Sequence, residues 1–497
     1  MCPITLDPET CWRAFAARDR RFDGRFFTGV TTTRIYCRPG CPARRPARAN
    51  LRFFGSAAAA EEAGFRPCLR CRPESAPGSL PWMGTSTTVA RALRLIDGGA
   101  LDEAGVEALA SRLGVSGRWL RRLFAEQIGA SPLAVARTRR VHFARRLLDQ
   151  TDLPITDVAF SSGFSSLRRF HHAMRATFRR TPRELRRSAG GSRPSRPHDG
   201  VVELRLPARA PFDPAPLLAF LAARAIPGVE EGGARGYRRT VSLGGSRGVL
   251  DVRPDAESGG LRLGVTRVET ARLIDLVEWV IRVFDLRADA ALILRELSRD
   301  PALAPTLRGR RDLRIPGAWD PFELAVRAVL GQQVSVRAAA TMASRLAAAH
   351  GEPLPGGTNG GLSHLFPTAD RLADADLSRL GVTRARAATL QALARAVASG
   401  HLDFMALPTL EEAVRRLTEL PGIGEWTAHY IAMRALGEPD AFPAGDLGVQ
   451  RALGLGTSDA HRREGARRAE AWHPWRAYAV MALWTPLEPT RTRKARR

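Results

Sequence analysis

A proline–glycine turn between two amphipathic segments constrains the fold of this chain more than any other stretch. Residues 420–424 read Leu-Pro-Gly-Ile-Gly, and apolar residues recur at helical spacing on either side of them. Proline and two glycines leave room only for a tight hairpin, so the stretch predicts two helices joined by that hairpin. Backbone N–H groups of the hairpin and of the second helix's first turn then lack partners within the helices, and a phosphate group satisfies them. An ordinary corner between two helices fits the same residues.

The residues that follow the hairpin narrow this interpretation. The run continues as Leu-Pro-Gly-Ile-Gly-x-x-Thr-Ala, and Gly-Asp stands at 445–446 after the second helical segment. This pattern resembles the hairpin and catalytic aspartate of the helix-hairpin-helix DNA glycosylases, most closely the AlkA type, which excises alkylated bases. The resemblance implies that Asp446 stabilises the oxocarbenium-like sugar as the base departs and helps to orient the attacking water. A helix N-cap is compatible with the same aspartate.

Tryptophan at position 426 separates two mechanisms within that family. Lyase-active members carry a lysine there, which forms a Schiff base with the sugar, whereas the only lysine of this chain is Lys494, near its end. The resemblance therefore implies a monofunctional, hydrolytic enzyme. It also implies a base pocket formed by Trp426, Tyr430 and Trp484, whose electron-rich faces prefer a positively charged alkylated purine. Aromatic residues at helical spacing are equally compatible with core packing.

A glutamine-containing loop interrupts the helical pattern well before the hairpin. It reads Gly-Gln-Gln-Val-Ser from Gly331. In AlkA relatives this loop enters the minor groove, and one side chain fills the gap that the flipped nucleotide leaves. AlkA itself has leucine at the position of Gln333, which leaves the identity of the inserted side chain open. The DNA contacts that the resemblance implies in this half of the chain come from Gln332, Gln333, Gly422, Gly424 and Thr427.

All six cysteines lie within the first 71 residues, so residues 72–497 cannot supply the four thiolates of an iron–sulfur cluster. Four of them form two close pairs with the spacing of a tetrahedral zinc site, namely Cys37, Cys41, Cys68 and Cys71. Spacing alone favours a purely structural zinc knuckle. Cys2 and Cys11 have no matching partners and are expected to be ordinary thiols.

The segments around the two cysteine pairs point to chemistry instead. Residues 32–41 and 64–71 resemble, almost residue by residue, the zinc domain of the adaptive-response protein Ada. The resemblance implies that Cys37 accepts a methyl group from a DNA phosphotriester, so that one Zn²⁺ is both structural and catalytic. Thiolates bound to zinc stay deprotonated and nucleophilic, which suits them to attack a methyl carbon. The methylated site is one unit less negative and should repel DNA phosphates less.

Two similar helical halves follow between residues 86 and 188. Each reads as a helix, a glycine turn and a second helix opened by a serine, which is the layout of a helix-turn-helix. The pair resembles an AraC-type DNA-binding domain over its whole length. The resemblance implies that the second helix of each half enters the major groove and presents Arg118, Arg121, Arg122, Arg168 and Arg169. Trp119 and Phe170, on the same helices, are predicted to lie in the core.

The charge balance indicates the class of partner. Lys and Arg number 76 against 50 Asp and Glu, giving a net charge of +26, which predicts a polyanion, nucleic acid before membrane. No apolar run is long enough to span a bilayer, and the start of the chain lacks a signal-peptide core. We therefore expect a monomeric, cytoplasmic protein that binds double-stranded DNA, with RNA polymerase as a candidate further partner.

These patterns together predict a multidomain α+β chain. The predicted units are a small four-cysteine zinc α/β domain at 1–80, an all-α double helix-turn-helix domain at 86–188, a linker at 189–200, a mixed α/β domain like the AlkA N-terminal domain at 201–310, an all-α helix-hairpin-helix glycosylase domain at 311–490 and a basic tail at 491–497.

The resemblances imply a fused adaptive-response protein, in which a methyl-phosphotriester sensor and transcriptional regulator is joined to a DNA-3-methyladenine glycosylase. Two alternatives remain at the level of sequence. One is a transcriptional activator whose glycosylase domain is catalytically degenerate. The other is a glycosylase whose zinc and helix-turn-helix parts only tether it to DNA.

Overall fold

In a computed structural model the chain is described over residues 7–73, 87–188, 201–243, 245–266, 268–355, 360–407 and 409–484. Cys2, the predicted linker and the predicted basic tail lie outside these residues. Within the described ranges, none of the helices has the length and apolar character needed to traverse a lipid bilayer. The observed architecture is the predicted multidomain α+β arrangement.

The N-terminal domain is a small sheet with a helix before it and one within it. Its strands are β1 (Phe27–Val30), β2 (Ile35–Cys37), β3 (Leu51–Phe54) and β4 (Arg66–Pro67), and its helices are α1 (Pro8–Ala16) and α2 (Ala57–Glu62). The strand order is β3-β1-β2-β4. Strand β4 runs parallel to β2 with Tyr36 opposite Pro67, so Cys37, the last residue of β2, and Cys68, the residue after β4, lie side by side at the same end of the two strands.

Eight helices form the second domain. They are α3 (Thr87–Asp97), α4 (Ala100–Glu103), α5 (Val106–Arg112), α6 (Gly117–Gln127), α7 (Pro132–Gln150), α8 (Ile155–Ser161), α9 (Leu167–Phe178) and α10 (Pro182–Ser188). Gly114 and Gly163 adopt positive φ at the two turns, which glycine does at little cost. Ser116 caps α6 by accepting from the Trp119 N–H, whereas Ser166 precedes α9 without a side-chain cap. The predicted capping serine is therefore present in the first half only.

The third domain is an antiparallel sheet with one helix between its first two strands and further helices after it. Its elements are β5 (Val201–Leu206), α11 (Pro214–Ala222), β6 (Glu230–Gly233), β7 (Gly236–Leu243), β8 (Ser246–Asp255), β9 (Gly260–Thr266), α12 (Leu273–Val283), α13 (Ala290–Leu297) and α14 (Ala304–Leu307). The strand order is β5-β9-β8-β7-β6. Leu273, Leu276 and Val280, which lie on one face of α12, are all buried.

The last domain is helical. Its helices are α15 (Pro321–Leu330), α16 (Val336–His350), α17 (Ala369–Leu372), α18 (Arg384–Ala398), α19 (Leu410–Thr418), α20 (Glu425–Arg434), α21 (Leu447–Ala452), α22 (Asp459–Ala469) and α23 (Arg476–Trp484). Single turns of 3-10 helix occur at Arg20–Phe22, Arg48–Asn50, Ser378–Leu380 and Glu470–Trp472. The hairpin between α19 and α20 and the loop between α15 and α16 lie where the sequence predicts them.

The first two domains, which we call the N-terminal half, pack directly against the last two domains, the C-terminal half. One continuous apolar cluster joins α7, α8 and α9 of the second domain to strands β5, β7, β8 and β9 of the third. Phe170 lies in this cluster and is fully buried, as predicted. The predicted linker therefore connects, along the sequence, two bodies that share a hydrophobic core.

Candidate active site and zinc centre

The hairpin between α19 and α20 depends on one glycine. Gly422 has a φ of +81°, and a Cβ placed on it would lie 2.1 Å from the Thr389 Oγ1 atom of α18. Gly424 precedes α20 with an ordinary φ of −87°, and no atom lies within 4 Å of its missing Cβ. The backbone of the hairpin is thus exposed at both glycines, and at Gly422 the side that would carry a Cβ faces α18.

Replacing Gly422 by alanine should lower the free energy of unfolding by about 2 kcal/mol or more, because a left-handed backbone and a steric overlap are both imposed. Thermal unfolding followed by circular dichroism measures this. Gly424→Ala is the matched control, and it should leave the unfolding temperature unchanged or slightly raised. Equal destabilisation by the two variants would contradict the assignment.

Asp446 is held by three donors. Its carboxylate caps α21, with Oδ1 accepting from the Val449 N–H at 2.9 Å. The indole N–H of Trp484 donates to the same oxygen at 2.8 Å, and the indole N–H of Trp426 donates to Oδ2 at 3.0 Å. The N-cap interpretation of Asp446 is therefore correct. The two indoles fix the plane of the carboxylate in addition, which the sequence did not indicate.

The three predicted pocket aromatics adjoin this carboxylate. Trp426 and Tyr430 stack with ring centroids 5.4 Å apart and an interplanar angle of 9°, and Trp484 lies 6.1 Å from Tyr430 at a tilt of 45°. Arg434 donates to the Tyr430 hydroxyl at 2.7 Å. Burial raises the pKa of Tyr430, but the guanidinium groups of Arg434 and Arg224 outweigh it, so that the pKa lies below its ordinary value.

The glutamine loop lies against the hairpin. The Gln332 side-chain amide donates to the Gly422 carbonyl at 3.0 Å and to the Thr427 hydroxyl at 3.2 Å. The backbone carbonyl of Gln332 accepts from the Arg386 guanidinium at 2.6 Å. Gln333 is exposed and has a φ of +55°. Gln332 thus ties the loop to the hairpin, whereas Gln333 forms the exposed tip.

The four paired cysteines converge in the N-terminal domain. All are buried, and their sulfur atoms lie within 4.8 Å of one another. A tetrahedral site with Zn–S bonds of about 2.3 Å needs sulfur–sulfur separations of about 3.8 Å, so the four thiols fit Zn²⁺. The loop between Cys37 and Cys41 is fixed by the buried Asp23, which accepts from the Gly40 N–H at 2.8 Å.

Cys11 lies near this cluster but outside the set of four. It packs in the same apolar core as the paired cysteines, and burial raises the pKa of its thiol to about 11. A thiol with so high a pKa stays protonated at neutral pH, which agrees with the prediction of an ordinary cysteine.

The helix-turn-helix arginines are exposed on α6 and α9. This holds for Arg118, Arg121, Arg122, Arg168 and Arg169. The prediction that Trp119 lies in the core is wrong, because its side chain is 36% exposed. The buried face of α6 is centred on Leu120 and Leu123. Successive residues of an α-helix are rotated by about 100° about its axis, so Trp119 points away from the direction of Leu120. Trp119 therefore shares the arginine-bearing surface.

Comparison with known proteins identifies the family. Four family descriptions match successive parts of the chain: the metal binding domain of Ada at residues 10–74, a helix-turn-helix domain at 109–188, the AlkA N-terminal domain at 203–320, and the HhH-GPD superfamily of base excision DNA repair proteins at 326–477. A protein of Mycobacterium tuberculosis (strain ATCC 25618 / H37Rv), named "Probable bifunctional transcriptional activator/DNA repair enzyme AlkA", is 44% identical over 97% of both chains. This chain belongs to that family of bifunctional activator and DNA repair proteins.

Other relatives match only one part of this domain arrangement. DNA-3-methyladenine glycosylase 2 of Escherichia coli (strain K12) is 36% identical over 55% of this chain and 94% of its own length. The regulatory protein ada of Salmonella typhimurium (strain LT2) is 33% identical over 37% of this chain and 50% of its own length. The family membership and the four-cysteine geometry together assign a zinc ion to the N-terminal domain.

Proposed function

We propose that this protein excises alkylated purines from double-stranded DNA and regulates transcription in response to DNA methylation. Asp446 carries the enzymatic part of the proposal, because two indole N–H groups aim its carboxylate beside a wall of aromatic rings. The catalytic and regulatory roles are assigned to the units at 1–80, 86–188 and 311–490, whereas the unit at 201–310 has a packing role and carries no chemistry. The linker at 189–200 and the basic tail at 491–497 carry no chemistry.

The glycosylase reaction follows from these groups. The flipped purine stacks against Trp426, Tyr430 and Trp484, and its positive charge is attracted to their electron-rich faces. The N-glycosidic bond breaks with its electron pair passing to the base, which alkylation has made a good leaving group. Asp446 stabilises the cationic sugar that remains. A water oxygen, oriented by Asp446, then bonds to the anomeric carbon, and the proton that the water loses passes to the solvent.

We propose that contacts with DNA surround this pocket. Backbone groups near Gly422, Gly424 and Thr427 receive a phosphate, and Gln333 fills the space of the flipped nucleotide. Gln332 places that loop beside the hairpin. The support is the exposed, positive-φ position of Gln333 and the hydrogen bonds of Gln332.

The N-terminal domain supplies the sensor. Cys41, Cys68 and Cys71 hold zinc together with Cys37, and zinc when bound keeps these sulfurs deprotonated at neutral pH. The Cys37 sulfur forms a bond to the methyl carbon while the carbon–oxygen bond of the phosphotriester breaks and the phosphodiester departs with the electron pair. This transfer is stoichiometric, because the resulting thioether does not turn over. Zinc is the only metal in the proposal, without an iron–sulfur cluster.

The exposed arginines of α6 and α9 read a promoter in the major groove. A regulator that activates transcription also needs a contact with RNA polymerase, which we include as a partner. The protein acts as a monomer in the cytoplasm.

Release of free 3-methyladenine and 7-methylguanine from alkylated duplex DNA tests the enzymatic part. Chromatographic detection of both bases is the expected result. Absence of release, combined with promoter binding that increases after exposure to methylated DNA, would favour an activator with a degenerate glycosylase domain. Release without any effect of DNA methylation on promoter binding would favour a tethered glycosylase.

Trp484→Phe should slow base release by about tenfold in single-turnover reactions. Phenylalanine keeps the aromatic wall but removes a charge-assisted hydrogen bond to Asp446, of a kind worth about 1.5–3 kcal/mol. Trp472→Phe is the matched control, because the Trp472 indole donates to a different carboxylate, Asp300, at 2.6 Å. Equal slowing by both substitutions would show a general loss of stability instead.

A further inference from the structure

Two arginines of the helix-turn-helix domain reach into the glycosylase domain. The Arg91 guanidinium donates to Glu438 Oε1 from two nitrogens, at 3.0 and 2.6 Å. Arg94 donates to the same oxygen at 2.9 Å and also to the Leu436 carbonyl. Arg91 is 3% exposed and Glu438 is 4% exposed, so the contact is almost fully removed from water.

The turn that these arginines hold, residues 436–440, begins at the end of α20. The Glu438 N–H donates to the Ala432 carbonyl at 3.0 Å, which closes the last turn of that helix. A cation at a helix C-terminus interacts favourably with the helix dipole and with unpaired carbonyls. Arg94 thus adds, from another domain, a donor to the Leu436 carbonyl just beyond the C-terminus of α20, and both arginines hold the Glu438 carboxylate of the same turn.

The same turn is also fixed to α23. The Pro439 carbonyl accepts from the Ala477 N–H at 2.9 Å. Asp440 accepts from Arg476 at 2.8 and 2.6 Å. Helix α20 carries Trp426 and Tyr430, and α23 carries Trp484. The turn at 436–440 is therefore the joint between the two helices whose indoles hold Asp446.

We infer that Arg91 and Arg94 are positioning residues for the glycosylase site, so that the helix-turn-helix domain contributes to the rate of base release. This inference rests on the proposed function. Arg91 and Arg94 act through Glu438 and touch neither Asp446 nor the aromatic wall. By clamping the joint they set the distance between the Trp426 and Trp484 indoles, and with it the orientation of the carboxylate. Displacements of about 1 Å at a catalytic group can reduce rates by about 10²-fold.

Arg139 provides a matched control at the same interface between the two halves. Its guanidinium donates to Asp102 at 3.2 Å and to Asp275 of α12 at 3.0 Å. Its side chain is 7% exposed, close to the 4% of the Arg91 side chain. It joins the two halves without touching the turn at 436–440. Loss of Arg139 therefore weakens domain docking but leaves the joint intact.

The experiment compares Arg91→Met, Glu438→Gln, their combination and Arg139→Met in the full-length protein. Single-turnover release of 3-methyladenine gives the maximal rate, and its dependence on DNA concentration gives the apparent affinity. We expect Arg91→Met to lower the maximal rate about tenfold with the affinity unchanged. The combination should be no slower than the slower single variant, because the two residues act as a pair. Arg139→Met should retain the maximal rate within about twofold while lowering the unfolding temperature.

Several outcomes would overturn the inference. These are an unchanged maximal rate in Arg91→Met, or equal loss of rate in Arg91→Met and Arg139→Met. If Arg91→Met does not fold, Arg91→Lys replaces it, since lysine keeps the charge but not the two-nitrogen contact. It should then show a smaller loss of rate, and full activity would contradict the inference.

If the unaltered protein releases no base, the proposed glycosylase function fails and the inference fails with it. If the unaltered protein and Arg91→Met release the base at the same rate, the inference fails while the proposed glycosylase function stands.

Discussion

Asp446→Asn should reduce the release of 3-methyladenine and 7-methylguanine by about 10²–10³-fold, the loss typical when a preorganised electrostatic group is removed from an active site. Asparagine keeps one acceptor oxygen, so the cap of α21 on the Val449 N–H can persist. It cannot accept from both indoles, because its amide nitrogen is itself a donor. The substitution thus removes the negative charge and misaligns the side chain, while the helix remains. Base release under single-turnover conditions measures the effect.

Glu425→Gln controls for the change in net charge. Glu425 is an exposed residue in the first turn of α20, close in sequence to the hairpin and one residue before Trp426. Removing its charge should leave base release unchanged or slightly improved, because a negative charge near a phosphate site opposes DNA binding. DNA affinity measured with both variants separates catalysis from binding. Retention of more than about a tenth of the rate in Asp446→Asn would contradict a catalytic role.

The local features of this protein could be predicted from its sequence because they depend on short segments. Gly422 has to be glycine, since the turn requires positive φ and a close approach to Thr389. Two cysteine pairs with zinc spacing leave few alternatives to a metal site. Strand β6 could not be predicted, because its sequence, Glu-Glu-Gly-Gly, has none of the β-branched or aromatic residues that usually mark strands.

The remaining features depend on contacts between residues distant in the sequence. The sequence places three aromatic residues near Asp446 but does not show that two indoles donate to it, since this requires α20, α21 and α23 to be packed. The Arg91–Glu438 pair is separated by 347 positions. With 76 basic residues in the chain, no charge pattern singles out Arg91 from the many that face solvent. The prediction for Trp119 fails for a different reason. An aromatic residue in a helix is expected in the core, but Trp119 lies on the exposed arginine-bearing surface.

Cys37→Ala should abolish methyl uptake from methylated DNA, with a fall from one methyl group per chain to none. The remaining three thiolates can still hold zinc with a weaker set of ligands, so loss of methyl uptake should exceed loss of folded protein. The measurement is mass spectrometry of the intact protein and of its peptides after incubation with DNA containing methyl phosphotriesters. A shift of one methyl group on the peptide that contains Cys37 is the expected result for the unaltered protein.

Two further cysteine variants make this result specific. Cys11→Ala removes a buried thiol from the same apolar core but not from the set of four, and it should accept methyl groups normally. Cys41→Ala removes a ligand while keeping Cys37, and it should lose zinc affinity to a similar degree as Cys37→Ala. If Cys41→Ala still takes up a methyl group and Cys37→Ala does not, Cys37 is the acceptor and not only a ligand. Methylation found on Cys68 or Cys71 would instead assign the acceptor role to the other pair, whose sulfur atoms lie within 4.8 Å of that of Cys37.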